Sequence, residues 1–110
     1  MAESYKVLGQ VAPSATTATT LYTVPSATEV VVSTISICNR GSATGTFRIS
    51  IRPNGASLAN EHYAVYDASI AAKDTLFITI GATMDASDVL EVYASTGDFS
   101  FIAFGTEITA

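Results

Sequence analysis

The sequence predicts an all-β protein, a two-sheet antiparallel β-sandwich of about eight strands in jelly-roll-like or immunoglobulin-like order. Three observations predict it. Apolar residues alternate or run in short β-branched blocks, and no segment sustains helical spacing. These blocks recur at the roughly 8–12 residue spacing of sandwiches and small barrels. Gly, Pro, Asn and Asp separate them, as turn chemistry requires. The 110 residues amount to one domain with one core, so 1–110 is a single sandwich.

The first strand is expected at Tyr5–Gln10. Val11–Thr20 (VAPSATTATT) is of low complexity and has few large side chains to anchor it. It is either a plain connection or an extended arm, at 11–20, lying on a neighbouring subunit through Pro13, Thr17 and Thr20. A second strand falls around Leu21–Val24. Glu29–Asn39 (EVVVSTISICN) is long and β-branched, with apolar residues on both faces around Val31, Val32, Ile35 and Ile37. The loop Asn39–Gly45 leads into Thr46–Arg52, where Phe47, Ile49 and Ile51 alternate with Arg48, Ser50 and Arg52 in the period of two of a half-buried strand. These two strands are expected to form a hairpin.

Pro53-Asn54-Gly55 is a strong turn signal. His62–Asp67 (HYAVYD) alternates again, setting Tyr63 and Val65 opposite Ala64 and Tyr66, and Thr75–Ile80 (TLFITI) follows. After the Asp85-Ala86-Ser87-Asp88 turn come Val89–Ala94 and Phe99–Phe104, expected to pair with each other. Periodicity does not report which strands are neighbours, so jelly-roll and immunoglobulin-like orders both remain open.

Apolar residues make up 48% of the chain and charged residues only 14%, against about 25% in an average soluble domain. Ala, Ser and Thr occupy 44 positions. A surface of small neutral side chains is cheap to desolvate, which suits docking to other proteins. The net charge is −5, and the five cations Lys6, Arg40, Arg48, Arg52 and Lys73 form no dense run. Direct nucleic-acid binding and docking on anionic membranes are therefore not expected. The first ten residues lack a basic stretch followed by an apolar one, and no apolar run approaches the ~20 residues of a membrane span, so synthesis in the cytoplasm is expected. Cys38 is the only cysteine, which excludes an intrachain disulfide and leaves a buried structural thiol as the expectation.

Catalytic and cofactor patterns are not found. His62 is the only histidine, with Glu61 and Asp67 as sequence neighbours, and no Gly-x-Ser-x-Gly elbow selects a serine to partner it. Asp74, Asp85 and Asp88 match no calcium-loop spacing and are expected to cap turns. Gly41–Gly45 does not lead into the Lys-Ser/Thr of a phosphate loop. The chain has no Trp, and Tyr5, Tyr22, Tyr63, Tyr66 and Tyr93 fall within strand patterns that suit core or interface packing better than a sugar platform. No enzyme activity, metal or cofactor is expected. The most distinctive charged feature is Arg48 and Arg52 on one strand face with Arg40 in the preceding loop. They either pair with carboxylates of the same chain, such as Glu91 or Glu61, or dock on an acidic patch of a partner.

Several phrases carry a resemblance: Lys6-Val-Leu-Gly-Gln10, Leu21-Tyr-Thr-Val-Pro25, Ile37-Cys-Asn-Arg-Gly41, Phe47-Arg-Ile-Ser-Ile-Arg-Pro53 and Phe104-Gly-Thr-Glu-Ile108. With these, nearly end to end, the chain resembles small virion proteins of tailed phages, particularly those infecting cyanobacteria and other aquatic bacteria. The resemblance implies a β-sandwich module on the outer surface of the virion, in symmetric copies and without enzymatic activity. A capsid cement or decoration protein would bind the major capsid protein from outside, as a homotrimer, and oppose the pressure of packaged DNA. The same module could serve in the tail, baseplate or fibre, bound to another virion protein, or bind host carbohydrate.

Overall fold

The computed structural model describes residues 2–109. Eight strands run in chain order: β1 Ala2–Val11, β2 Thr19–Thr23, β3 Thr28–Asn39, β4 Gly45–Arg52, β5 Tyr63–Ile70, β6 Thr75–Met84, β7 Val89–Ala94 and β8 Phe99–Thr109. Single 3₁₀ turns at Pro53–Gly55 and Asn60–His62 lie between β4 and β5. Each strand expected from the alternation is present, several of them longer than the pattern marks.

The strands form two four-stranded antiparallel sheets, the first ordered β1-β8-β3-β6 and the second β2-β7-β4-β5. The pairs β1–β8, β2–β7, β3–β6 and β4–β5 are those of one long hairpin folded at the β4–β5 link, and their alternation between sheets is that hairpin rolled up. This is the jelly-roll order, and it decides between the two orders that periodicity leaves open.

Two expected pairings are corrected. Strands β3 and β4 form no hairpin but lie in opposite sheets, and so do β7 and β8. The cause is the core, because each strand carries an apolar face that needs a facing sheet rather than a flanking strand. Phe47 of β4 crosses the interior to Phe99 and Phe101 of β8, with ring centroids 6.5 and 6.2 Å apart. Ile35, Ile37, Ile49 and Leu90 are fully buried around them. Asn39 fixes the corner that carries the chain across: its fully buried amide donates to the carbonyls of Ala43 and Ile70 (2.9 and 3.0 Å) and accepts from the Gly41 N–H.

The segment 11–20 does not extend away from the chain. Val11 closes β1, Thr19 and Thr20 open β2, and the Thr16 N–H donates to the Ala94 carbonyl at 2.8 Å. It is the connection from first sheet to second, and Pro13 is buried by its own chain. Cys38 also departs from expectation, standing half-buried on the outer side of the first sheet beside Ser100 and Thr75. A bulge at Ser33 explains it. The extra residue shifts the inward set of β3 from Val30 and Val32 to Ile35, Ile37 and Asn39, which turns Ser36 and Cys38 outward.

Candidate interaction site

The outer face of the second sheet gathers the sequence's charged feature. Residues opposite one another place Arg48 beside Tyr93, Ser50 beside Glu91 and Tyr63, and Thr20 on the far side of Glu91. On β5 the register jumps, because Phe47 pairs with Ala68 and Ile49 with Val65, so that Tyr66 and Asp67 both oppose the single residue Arg48. Two residues facing one is a β-bulge, and it aims both side chains at the same partner. Asp67 adopts φ 53°, the left-handed region that Asp tolerates better than most residues.

The bulge completes a clamp around Arg48. Its Nε donates to Asp67 Oδ1 at 2.6 Å and its Nη2 to Oδ2 at 3.2 Å, the two-pronged geometry that a guanidinium offers a carboxylate. The guanidinium carbon lies 4.2 Å from the Tyr66 ring centroid and 4.3 Å from that of Tyr93, within cation–π range of both. Tyr63 meets Tyr66 edge-to-face at 4.9 Å. The hydrogen bonds from Arg48 hold the Asp67 carboxyl below the usual carboxylate range. Tyr66 nonetheless remains 59% exposed, so the cluster is ordered but open to a partner.

Arg52 pairs with Glu91 at 3.0 Å and donates through Nη1 to the carbonyls of Gly55 and Ala56, which ties the loop after β4 to the sheet. Arg48 and Arg52 are thus both paired within the chain. Arg52 takes Glu91, one of the carboxylates expected from the sequence, whereas Arg48 takes Asp67, brought opposite it by the β5 bulge, rather than Glu91 or Glu61. Arg40 lies apart, donating from Nε to Ser100 Oγ at 2.8 Å and from Nη2 to the Gly97 carbonyl at 3.2 Å. Thr20 shares the face with Arg48 and Arg52. Thr17 is exposed in the β1–β2 connection, where its hydroxyl donates to the Ala15 carbonyl.

The remaining polar candidates do local work. His62 Nδ1 accepts the Ala59 N–H and closes a 3₁₀ turn. Asp88 accepts the backbone N–H groups of Asn54 and Asp85, while Asp74 accepts that of Thr75. At one end of the sandwich, Glu107 accepts from Lys6 and from the Tyr22 hydroxyl, joining β1, β2 and β8.

The outer face of the first sheet has a different character. Three rows cross it: Tyr5, Thr106, Val31, Thr83; then Val7, Phe104, Thr34, Thr79; then Gln10, Ile102, Ser36, Phe77. None of these residues is charged. Tyr5 is 78% and Phe77 65% exposed, so large apolar groups stand in solvent on a face with no ionic rim between rows. Charge is therefore segregated: Arg48–Asp67 and Arg52–Glu91 lie on the second sheet's outer face, Lys6–Glu107 lies at one end of the first sheet, and the three rows themselves carry no charge. No protein-family model and no curated protein matches this chain.

Proposed function

We propose that this chain is a virion structural protein, a capsid cement or decoration module that docks on the major capsid protein through the outer face of its second sheet. The observation that carries this reading is the Arg48 clamp. Tyr and Arg dominate the energetically important positions of protein interfaces, and side chains already held in place lose little freedom when a partner arrives. Arg48 is held by Asp67 and by two aromatic rings while Tyr66 remains exposed, so a partner meets an ordered surface. With both arginines on this face internally paired, the partner surface is one that packs on tyrosine and guanidinium planes rather than a simple acidic strip. The resemblance to phage virion proteins supplies the location, and a net charge of −5 suits a protein outside the shell, away from packaged DNA. Many copies on a lattice add modest contacts into a large total.

The test is to image and pressure-challenge particles assembled without the protein, then to add back wild type and the Tyr66→Ala variant. Empty or fragile heads that wild type rescues and Tyr66→Ala does not rescue support the reading. Intact, equally resistant heads that lack tail density would place the module in the tail, baseplate or fibre, where its copy number would be a dozen or fewer rather than hundreds. The Tyr63–Tyr66 pair also favours a second reading, binding of host carbohydrate on an aromatic surface. Arg48 covers the ring faces a sugar would use on that side, and retention on host polysaccharide lost in Tyr66→Ala would favour the sugar reading over protein docking.

A further inference from the structure

We infer that the outer face of the first sheet is the contact between two copies of this chain, which pair face to face about a two-fold axis. The inference deepens the proposed function, with a two-fold pair in place of the homotrimer that the resemblance implies, but it stands on its own geometry.

Relief on this face is self-complementary. The outward side chains along β3 are small at its centre (Thr34, Ser36), and on β8 beside them they are large (Ile102, Phe104). Ser36 is only 7% exposed although it stands on the outer side, because Ile102 and Phe77 oppose it from the two neighbouring strands. β3 is thus a trough and β8 a ridge, side by side in the middle of the sheet. A two-fold axis in the plane of the contact, parallel to the strands and between β8 and β3, sets each ridge over the other copy's trough. This is the isologous arrangement in which one patch meets itself and the assembly closes at two.

Size and charge favour the same occupant. Four strands of 10 to 12 residues, about 4.8 Å apart, present roughly 700 Å² in flat projection, enough for the ~1,200 Å² total of a small stable interface. Two chains of net charge −5 repel each other, yet no residue of the three central rows is charged, and Lys6, which lines the groove beside Tyr5, Val7 and Phe104, is neutralised by Glu107 of its own chain. The ion-paired outer faces of the second sheets lie on opposite sides of the pair, about three inter-sheet spacings or ~30 Å apart and beyond the ~10 Å screening length. Glu3 and Glu29 flank Ile108 at one rim and fall on the same rim in both copies, so screening them helps association. The pair then presents two Arg48 clamps facing outward in opposite directions.

The experiment is sedimentation equilibrium of the purified chain over micromolar concentrations, in low and high salt. The expected result is the mass of two 11.4 kDa chains, with association tightening as salt rises. Phe77→Glu combined with Val7→Glu, both at exposed positions, should give a folded monomer by circular dichroism, while Leu58→Glu, away from the face, should remain a dimer. Should the double variant fail to fold, alkylation of Cys38 in wild type decides, since the half-buried thiol on this face should react more slowly as protein concentration increases. A wild-type monomer, a trimer, a dimer that survives both face charges, salt-weakened association or concentration-independent alkylation would each overturn the inference. A dimer absent from virions would instead sink the proposed function and leave this pairing intact.

Discussion

Gly105 shows how one residue carries the fold. It lies inward on β8 where the sheet bulges, and a Cβ there would overlap the Val31 carbonyl oxygen and crowd Leu8 Cδ1. Gly9 meets the Leu21 carbonyl oxygen in the same way. Both glycines sit inside the phrases Lys6–Gln10 and Phe104–Ile108 that carry the resemblance, so what those phrases record is close backbone approach. Gly105→Ala is expected to destabilise by about 1–3 kcal/mol, because the obstacle is backbone in a central strand and cannot rotate away. Urea unfolding followed by circular dichroism checks this, and an unchanged midpoint would mean that the bulge relaxes freely.

Among the elements, the strands were legible in the sequence because alternation reports burial directly, and Thr46–Arg52 is the clearest case. The bulges were not, because an inserted residue breaks the period that reveals a strand. HYAVYD scans as simple alternation, yet Ala64 and the Tyr66–Asp67 step interrupt it, so Tyr63 and Val65 lie on opposite faces and Asp67 reaches Arg48. The candidate site was half legible for the same reason. Arg48 and Arg52 were visible as a pair on one face, while the aromatic clamp depends on pairings that no single strand encodes. Another element-level contact has a measurable consequence. Glu107 of β8 is held below its ordinary value by hydrogen bonds from Lys6 and Tyr22, whereas burial, reinforced by Glu107, keeps the Tyr22 hydroxyl above its ordinary value of 10. A lowered carboxyl stabilises the fold above its unfolded value, and that stabilisation is lost as pH falls through the folded one. A raised phenol stabilises below pH 10, and its contribution is lost as pH rises further. The melting temperature should therefore be flat between about pH 5 and 10 and fall on both sides. Glu107→Gln should soften the acid limb and Tyr22→Phe the alkaline one; limbs unmoved by these changes would assign the pH dependence elsewhere.

On the scale of the whole molecule, the rolled hairpin dictates where the ends lie. β1 and β8 are the outermost pair of that hairpin, and Ala2 is directly paired with Thr109. Antiparallel partners have Cα atoms about 4.5–5.5 Å apart, so a short linker can join them without distorting either strand. The opposite end of the rolled hairpin is the loop between β4 and β5, where Ser57 and Leu58 are exposed and Arg52 holds the chain just before them at Gly55 and Ala56. A circular permutant that joins the original ends and opens between Ser57 and Leu58 keeps all eight strands and every sheet neighbour, and trades one exposed loop for another. It should fold with the wild-type circular dichroism spectrum and with a melting temperature within several degrees of the parent. The immunoglobulin-like order that periodicity also allowed does not make the first and last strands the two ends of one rolled hairpin. A permutant that folds supports the jelly-roll order, and one that collapses despite an adequate linker would contradict the β1–β8 pairing on which that order rests.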